Sequence, residues 1–139
     1  MTHFQKWLAT MLDSMDRELD PKTRERILEK CGRSCLSRNF IKKVEGIRKN
    51  SANEDEFLHR LMKQWKHFHA EGGQFYVVYD RCYCPIVRNY SGELSLSFCN
   101  CSRGWIKELF DAALQRPVDV ALEKSIKRGD EKCQFRVYF

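Results

Sequence analysis

The sequence predicts an α+β fold in which N-terminal helices pack on an antiparallel sheet of strand-strand-helix-strand-strand order. Three observations carry this. Apolar residues recur every three and four positions through the first part of the chain. Past Gly72-Gly73 the pattern becomes aromatic, β-branched and alternating, and the chain closes on two short alternating runs around Arg128-Gly129-Asp130. With 139 residues, 42% of them hydrophobic, the chain supports one ordinary core and not two comfortable ones. Residues 1–139 therefore read as one domain, with a helical part over 1–70 and a cysteine-rich part over 74–139.

Phe4, Trp7, Leu8, Met11, Leu12, Met15 and Leu19 form one apolar stripe on a first helix. Asp20-Pro21 starts a second, because Asp accepts from free N–H groups of the next turn and Pro is tolerated at the first helical position. That helix is expected over Lys22 to Cys31, closed by Gly32. Leu36, Phe40, Ile41, Val44 and Ile47 give a third stripe. Asn53, with Glu56 three residues on, resembles a helix-starting cap, and the apolar spacing from Phe57 through Trp65 and Phe68 carries a fourth helix up to the glycine pair. His67 and His69 then fall at its end, as surface or capping residues.

Gln74 to Val87 and Leu94 to Cys99 read as two arms of a hairpin turning at Ser91-Gly92. Residues two apart on a strand share a face, so Cys82-Tyr83-Cys84 and Cys99-Asn100-Cys101 would put four thiols on one patch. Ser102-Arg103-Gly104 ends the second arm, and Trp105, Ile106, Leu109 and Phe110 return to helical spacing. Pro117 opens a strand with Val118, Val120 and Leu122 on one face. The last strand sets Cys133, Phe135, Val137 and Phe139 on one side.

Charge is uneven. Lys22 to Lys49 holds ten Lys or Arg against three Glu, a balance of +7 beside a total of +6. Such a stripe can meet a polyanion, but it reads first as a solvated helix face. No nucleic-acid recognition motif accompanies it, so nucleic acid is not an expected partner. No apolar run approaches a membrane span and no secretory leader is visible, so the expected location is cytoplasmic. Seven cysteines, an odd number, point to thiols used for packing, metal binding or redox work rather than a disulfide framework. Taken alone, Cys31 and Cys133 read as packing residues. The two Cys-X-Cys pairs leave a metal-thiolate site, a reactive dithiol and inert cysteines all open.

The run Arg116-Pro117-Val118-Asp119-Val120, followed by Gly129-Asp130-Glu131-Lys132-Cys133-Gln134-Phe135, resembles the end of the 4-vinyl reductase domain family and of the related aminothiazoline-carboxylate hydrolase-like proteins. The resemblance covers about the last forty residues. It implies a small-molecule binding or sensing module, often a cytoplasmic homodimer. In aromatic-sensing members it also implies a zinc ion held by a strand cysteine, a Glu and a Cys on the penultimate strand, and the cysteine of the closing hairpin. Cys99 and Cys133 match the outer two positions. Ser125 stands where the second cysteine would be and Leu122 where the Glu would be, so Cys82, Cys84 or Cys101 would have to complete a zinc site.

Two further expectations concern the ligand. Free N–H groups at a helix start bind anions, so Ser102-Arg103-Gly104 before Trp105 is a place for a carboxylate or phosphate, with Arg103 as counter-charge. Tyr79, Trp105 and neighbouring aromatics would line an apolar cavity between helices and sheet. The competing function is a small hydrolase or thiol-dependent enzyme acting on a heterocyclic or acyl substrate, with Cys99 or Cys101 as nucleophile, which would need a base or positive field nearby.

Overall fold

The computed structural model describes residues 2–90 and 94–139. Four helices come first: α1 (His3–Glu18), α2 (Pro21–Cys35), α3 (Arg38–Lys49) and α4 (Glu54–Gln64). The strands β1 (Phe68–Glu71) and β2 (Gln74–Tyr79) follow, then a long connection ending in a 3₁₀ turn, Leu96–Cys99, that runs straight into α5 (Asn100–Leu114). The strands β3 (Asp119–Lys124) and β4 (Cys133–Tyr138) close the chain. The sheet is antiparallel throughout, in the order β1-β2-β4-β3. The strand-strand-helix-strand-strand succession is present, but its first hairpin lies earlier than the alternation indicated.

The helix starts follow from their caps. The Asp20 carboxylate accepts from the Thr23 amide at 3.1 Å, with Pro21 in the first turn. The Asn53 side chain accepts from the Glu56 amide at 2.9 Å, while the Glu56 carboxylate reaches back to the Ala52 amide at 3.1 Å. Each such cap satisfies amides that the helix itself cannot.

Three boundaries differ from the expectation. α2 does not stop at Gly32 but continues to Cys35, because Gly32 is a packing residue. A Cβ there would run into the Cys101 carbonyl of α5, and one at Gly104 would run into the Glu29 carbonyl of α2. The two helices cross backbone to backbone at this glycine pair. Arg33 on α2 locks the crossing, donating to Glu108 at 2.8 Å and to Asp111 at 2.9 Å. Secondly, α4 ends at Gln64, so Phe68 belongs to β1. Gly72 and Gly73 both adopt positive φ, 59° and 76°, and form a tight turn that pairs Glu71 with Gln74. His69 is therefore a strand residue and His67 immediately precedes the strand.

The third difference is the largest. β2 ends at Tyr79, and neither Cys-X-Cys pair lies on a strand. Cys82 and Cys84 sit in the irregular connection, Cys99 closes the 3₁₀ turn and Cys101 is in the first turn of α5. The expected turn at Ser91-Gly92 lies outside the described residues. The Ser95 and Ser97 hydroxyls both donate to the Asp16 carboxylate on α1, Ser97 at 2.8 Å. The connection is thus fixed to a helix rather than paired with a strand.

Two hydrophobic clusters result. The main one lies between α3, α4, α5 and the sheet, with Phe57, Phe68, Phe110 and Phe135 sealed from solvent. Fully burying side chains of this kind contributes about 1.5–3 kcal/mol each. The second holds Leu8, Leu12 and Leu28 of α1 and α2 against Val87, Tyr90 and Phe98 of the connection. Only part of the α1 stripe is used, since Phe4 and Trp7 remain 54% and 59% exposed.

Candidate functional site

A cavity of about 610 Å³ opens where the two clusters meet. One wall is aromatic and comes from three helices or their ends: Phe40 of α3, Trp65 after α4 and Trp105 of α5, with ring centroids 5.6–5.9 Å apart. Ile86, Val87 and Phe98 of the connection face the same space. Its other end is built where β2 leaves the sheet and β4 enters it, a point fixed by the pairing of Tyr79 with Cys133. Tyr79, Tyr83, His67, Arg81 and Lys127 line that end.

Each group there has a defined state or partner. His67 Nδ1 lies 3.1 Å from the Val78 carbonyl, which can only accept, so Nδ1 carries the proton and Nε2 is the ring's remaining polar atom. The imidazole packs against Tyr79 and Tyr83, at 4.7 and 5.1 Å between centroids. Burial pushes the Tyr79 phenol well above its ordinary value, with Cys133 adding to the effect, so it stays a neutral donor. The Tyr83 hydroxyl donates to Asp80 at 2.7 Å, and the Arg81 guanidinium lies 4.8 Å above the Tyr83 ring.

Six of the seven cysteines border this space: Cys35, Cys82, Cys84, Cys99, Cys101 and Cys133. The four Cys-X-Cys thiols do share one patch, though loop and helix rather than two strand arms deliver them. Electrostatic coupling ties the thiols into two groups joined through Cys84, which feels both Cys35 and Cys82. Cys101 feels Cys35, Cys84 and Cys31, joining α2 to α5. Cys99 feels Cys133 and Cys82, and Cys133 feels Cys82, at the sheet end. In the second group Cys99 Sγ hydrogen-bonds Ser125 Oγ at 2.8 Å, and the Ile126 amide donates to Cys133 Sγ at 3.4 Å. Cys99, Ser125 and Cys133 are thus neighbours in space.

What these thiols can do is limited by their surroundings. Burial pushes Cys101 up to about 12 and raises Cys84, Cys99 and Cys133. A nucleophilic cysteine needs the opposite, a lowered value from a base or positive field. Zinc needs about four deprotonated donors near tetrahedral positions. Among the described residues no three His, Cys, Asp or Glu side chains stand where they could hold a metal ion. Zinc binding by Cys82, Cys84, Cys99, Cys101 and Cys133 would require side chains to turn and shed protons.

Of the ligand residues expected from sequence, Tyr79 and Trp105 line the cavity and Arg103 does not. The anion site assigned to Ser102-Arg103-Gly104 lies later than the helix start. α5 starts at Asn100, so Arg103 and Gly104 lie within the helix and only the Ser102 amide belongs to its first turn. Gly104 serves the crossing with α2 instead. His67, Arg81 and Lys127 were not legible as site residues. Their signal is spatial, since 67, 81 and 127 line one cavity only once the chain is folded.

A helical layer on a four-stranded antiparallel sheet, enclosing an aromatic and cysteine-lined cavity, defines an α+β protein with a ligand-sized internal site. A family of unknown function, DUF6144, matches residues 2–139, and the chain belongs to that family. None of the curated proteins matches it. Among the described residues no helix is long and apolar enough to cross a membrane.

Proposed function

We propose that this protein is a binding or sensing module for a small, mostly apolar molecule, held in the cavity between the aromatic helix wall and the β2–β4 end of the sheet. The observation that carries the reading is the cavity itself. Its volume of about 610 Å³ falls within the range of small-molecule sites, and its lining is mainly aromatic, aliphatic and thiol with a few polar groups among them. The 4-vinyl-reductase resemblance of the closing hairpin implies the same class of function. Seven unpaired cysteines suit a reducing compartment, which supports a cytoplasmic location.

The test is calorimetric titration with 2-naphthamide, a neutral aromatic probe. Binding is expected in the wild-type protein and is expected to weaken at least about tenfold in Trp105→Ala, which removes one face of the wall. Equal binding in both proteins, or no measurable binding of either 2-naphthamide or the matching carboxylate, 2-naphthoate, would overturn the reading.

A second reading gives the sheet-end thiols a zinc ion, with Cys82, Cys99 and Cys133 as ligands. The convergence of Cys99 with Ser125 and Cys133 favours it. Metal analysis of protein purified without chelator distinguishes the two. About one zinc per chain, lost in Cys99→Ser, supports the metal centre; metal-free folded protein removes it. The thiol-enzyme alternative is disfavoured, because burial raises the thiols named as nucleophiles, Cys99 and Cys101.

A further inference from the structure

We infer that the molecule this cavity takes is an organic anion: an apolar, aromatic body against Phe40, Trp65 and Trp105, with a carboxylate held by the cations of the lining, Arg81 and Lys127. This rests on the binding reading above and adds the charge of the ligand. Among the described residues lining the cavity there is no Asp or Glu, while Arg81 and Lys127 both contribute. The formal charge of the described lining is therefore positive.

Neither cation forms an ion pair among the described residues, although Arg81 and Asp80 feel each other's charge. The Arg81 guanidinium rests on the Tyr83 ring at 4.8 Å and forms no ion pair among the described residues. Its neighbour Asp80 is exposed, lies outside the lining and already accepts the Tyr83 hydroxyl. Lys127 Nζ donates to the Tyr90 carbonyl at 3.3 Å, one long bond from a group with three donors. Beside them the Tyr79 hydroxyl, neutral and without a hydrogen bond among the described residues, offers a further donor.

These groups converge for a structural reason. Tyr79 is paired with Cys133 across β2 and β4; Arg81 lies two residues beyond the end of β2, and Lys127 lies in the short 3₁₀ turn before β4. Two cations at the rim of an apolar cavity are costly to desolvate without an anion, and charge-assisted hydrogen bonds to a carboxylate offset that cost. Arg81 and Lys127 thereby take the role the sequence assigned to Arg103.

The experiment compares two isosteric probes, 2-naphthoate and 2-naphthamide, titrated into wild-type protein and into Arg81→Gln/Lys127→Gln. Wild type is expected to bind the carboxylate about tenfold more tightly than the amide, the effect of one charge-assisted bond. The double variant is expected to bind both alike, the loss falling mainly on the carboxylate. Equal affinities in wild type, or a preference that survives in the double variant, would overturn the inference and leave the cavity reading standing. Binding of neither probe would overturn both. Thermal melting of the double variant and of Arg81→Gln alone, whose exposed side chain makes no ion pair, verifies that the fold is retained.

Discussion

Replacing Gly32 with alanine tests the helix crossing on which the cavity's position depends. In an isolated helix this change is favourable by about 1 kcal/mol, because glycine is a poor helix former. In this fold the added methyl has no room. Its nearest neighbours are the Cys101 carbonyl oxygen, the carbonyl carbon behind it and, at 3.0 Å, the Trp105 amide nitrogen, all backbone atoms of α5. A backbone cannot rotate aside as a flexible side chain can, so α2 and α5 must separate. Overpacking of this kind typically costs about 1–3 kcal/mol, and a clash with rigid backbone belongs at or above the upper end. Separation also stretches the Arg33 bonds to Glu108 and Asp111. The expected net loss is about 2–3 kcal/mol, or a fall in melting temperature of roughly 10 °C for a chain of this size. Gly46 on α3 provides the control of opposite sign, since a Cβ there meets nothing within 4 Å and the residue keeps ordinary helical φ. Gly46→Ala should gain about 0.5–1 kcal/mol. Both values are read by calorimetric melting. If Gly32→Ala melts at or above the wild-type temperature, propensity alone governs the site and the crossing geometry is wrong.

Three other perturbations have defined outcomes. Phe110→Ala deletes a fully buried ring that lies 5.3 Å from Phe68 and 5.0 Å from Phe139; it should cost about 3–5 kcal/mol in chemical denaturation, and a loss under 1 kcal/mol would contradict its central placement. Asp16→Ala frees the Ser95 and Ser97 hydroxyls, and should cost about 1–3 kcal/mol. Amide exchange should quicken over 94–99 and stay slow in α4 and the sheet, whereas uniform acceleration would argue against a local tether. Finally, burial lifts Cys101 from 9.0 to about 12, so its thiol stays protonated in the fold where the unfolded chain ionises. Stability from this group is complete below the unfolded value and is lost as pH rises from 9.0 toward 12. Melting temperature should fall over that alkaline window, less steeply in Cys101→Ser; identical profiles would show that Cys101 is not desolvated.

The helical half was legible because its signals are local. Asp20-Pro21 and Asn53 with Glu56 start helices through contacts within four residues, and both caps are present. Two errors arose where one residue type serves two purposes. Gly32 has the composition of a helix end but is selected for a close approach between helices, which only tertiary structure reveals. Trp65 and Phe68 continue the apolar spacing of α4, yet the paired positive φ values of Gly72 and Gly73 favour a hairpin that takes Phe68 into β1. The segment through Leu94, Leu96 and Phe98 alternates as a strand would. What fixes its conformation is Asp16, nearly eighty residues away, binding Ser95 and Ser97. The gathering of the Cys-X-Cys thiols was inferred from strand geometry and arises instead from a loop and a helix start. His67, Arg81 and Lys127 carry no local pattern that marks them as site residues.

The central claim is that the cavity between the two clusters takes a small apolar molecule, and the chain carries its own reporters for it. Of the three tryptophans, Trp65 and Trp105 line the cavity, while Trp7 is exposed on α1 and does not. The most direct measurement follows the indole N–H signals by two-dimensional NMR as 2-naphthamide is added. Saturable shifts of the Trp65 and Trp105 signals, with Trp7 unmoved, are the expected result. Shifts confined to Trp7, or no shift at any of the three, would contradict it.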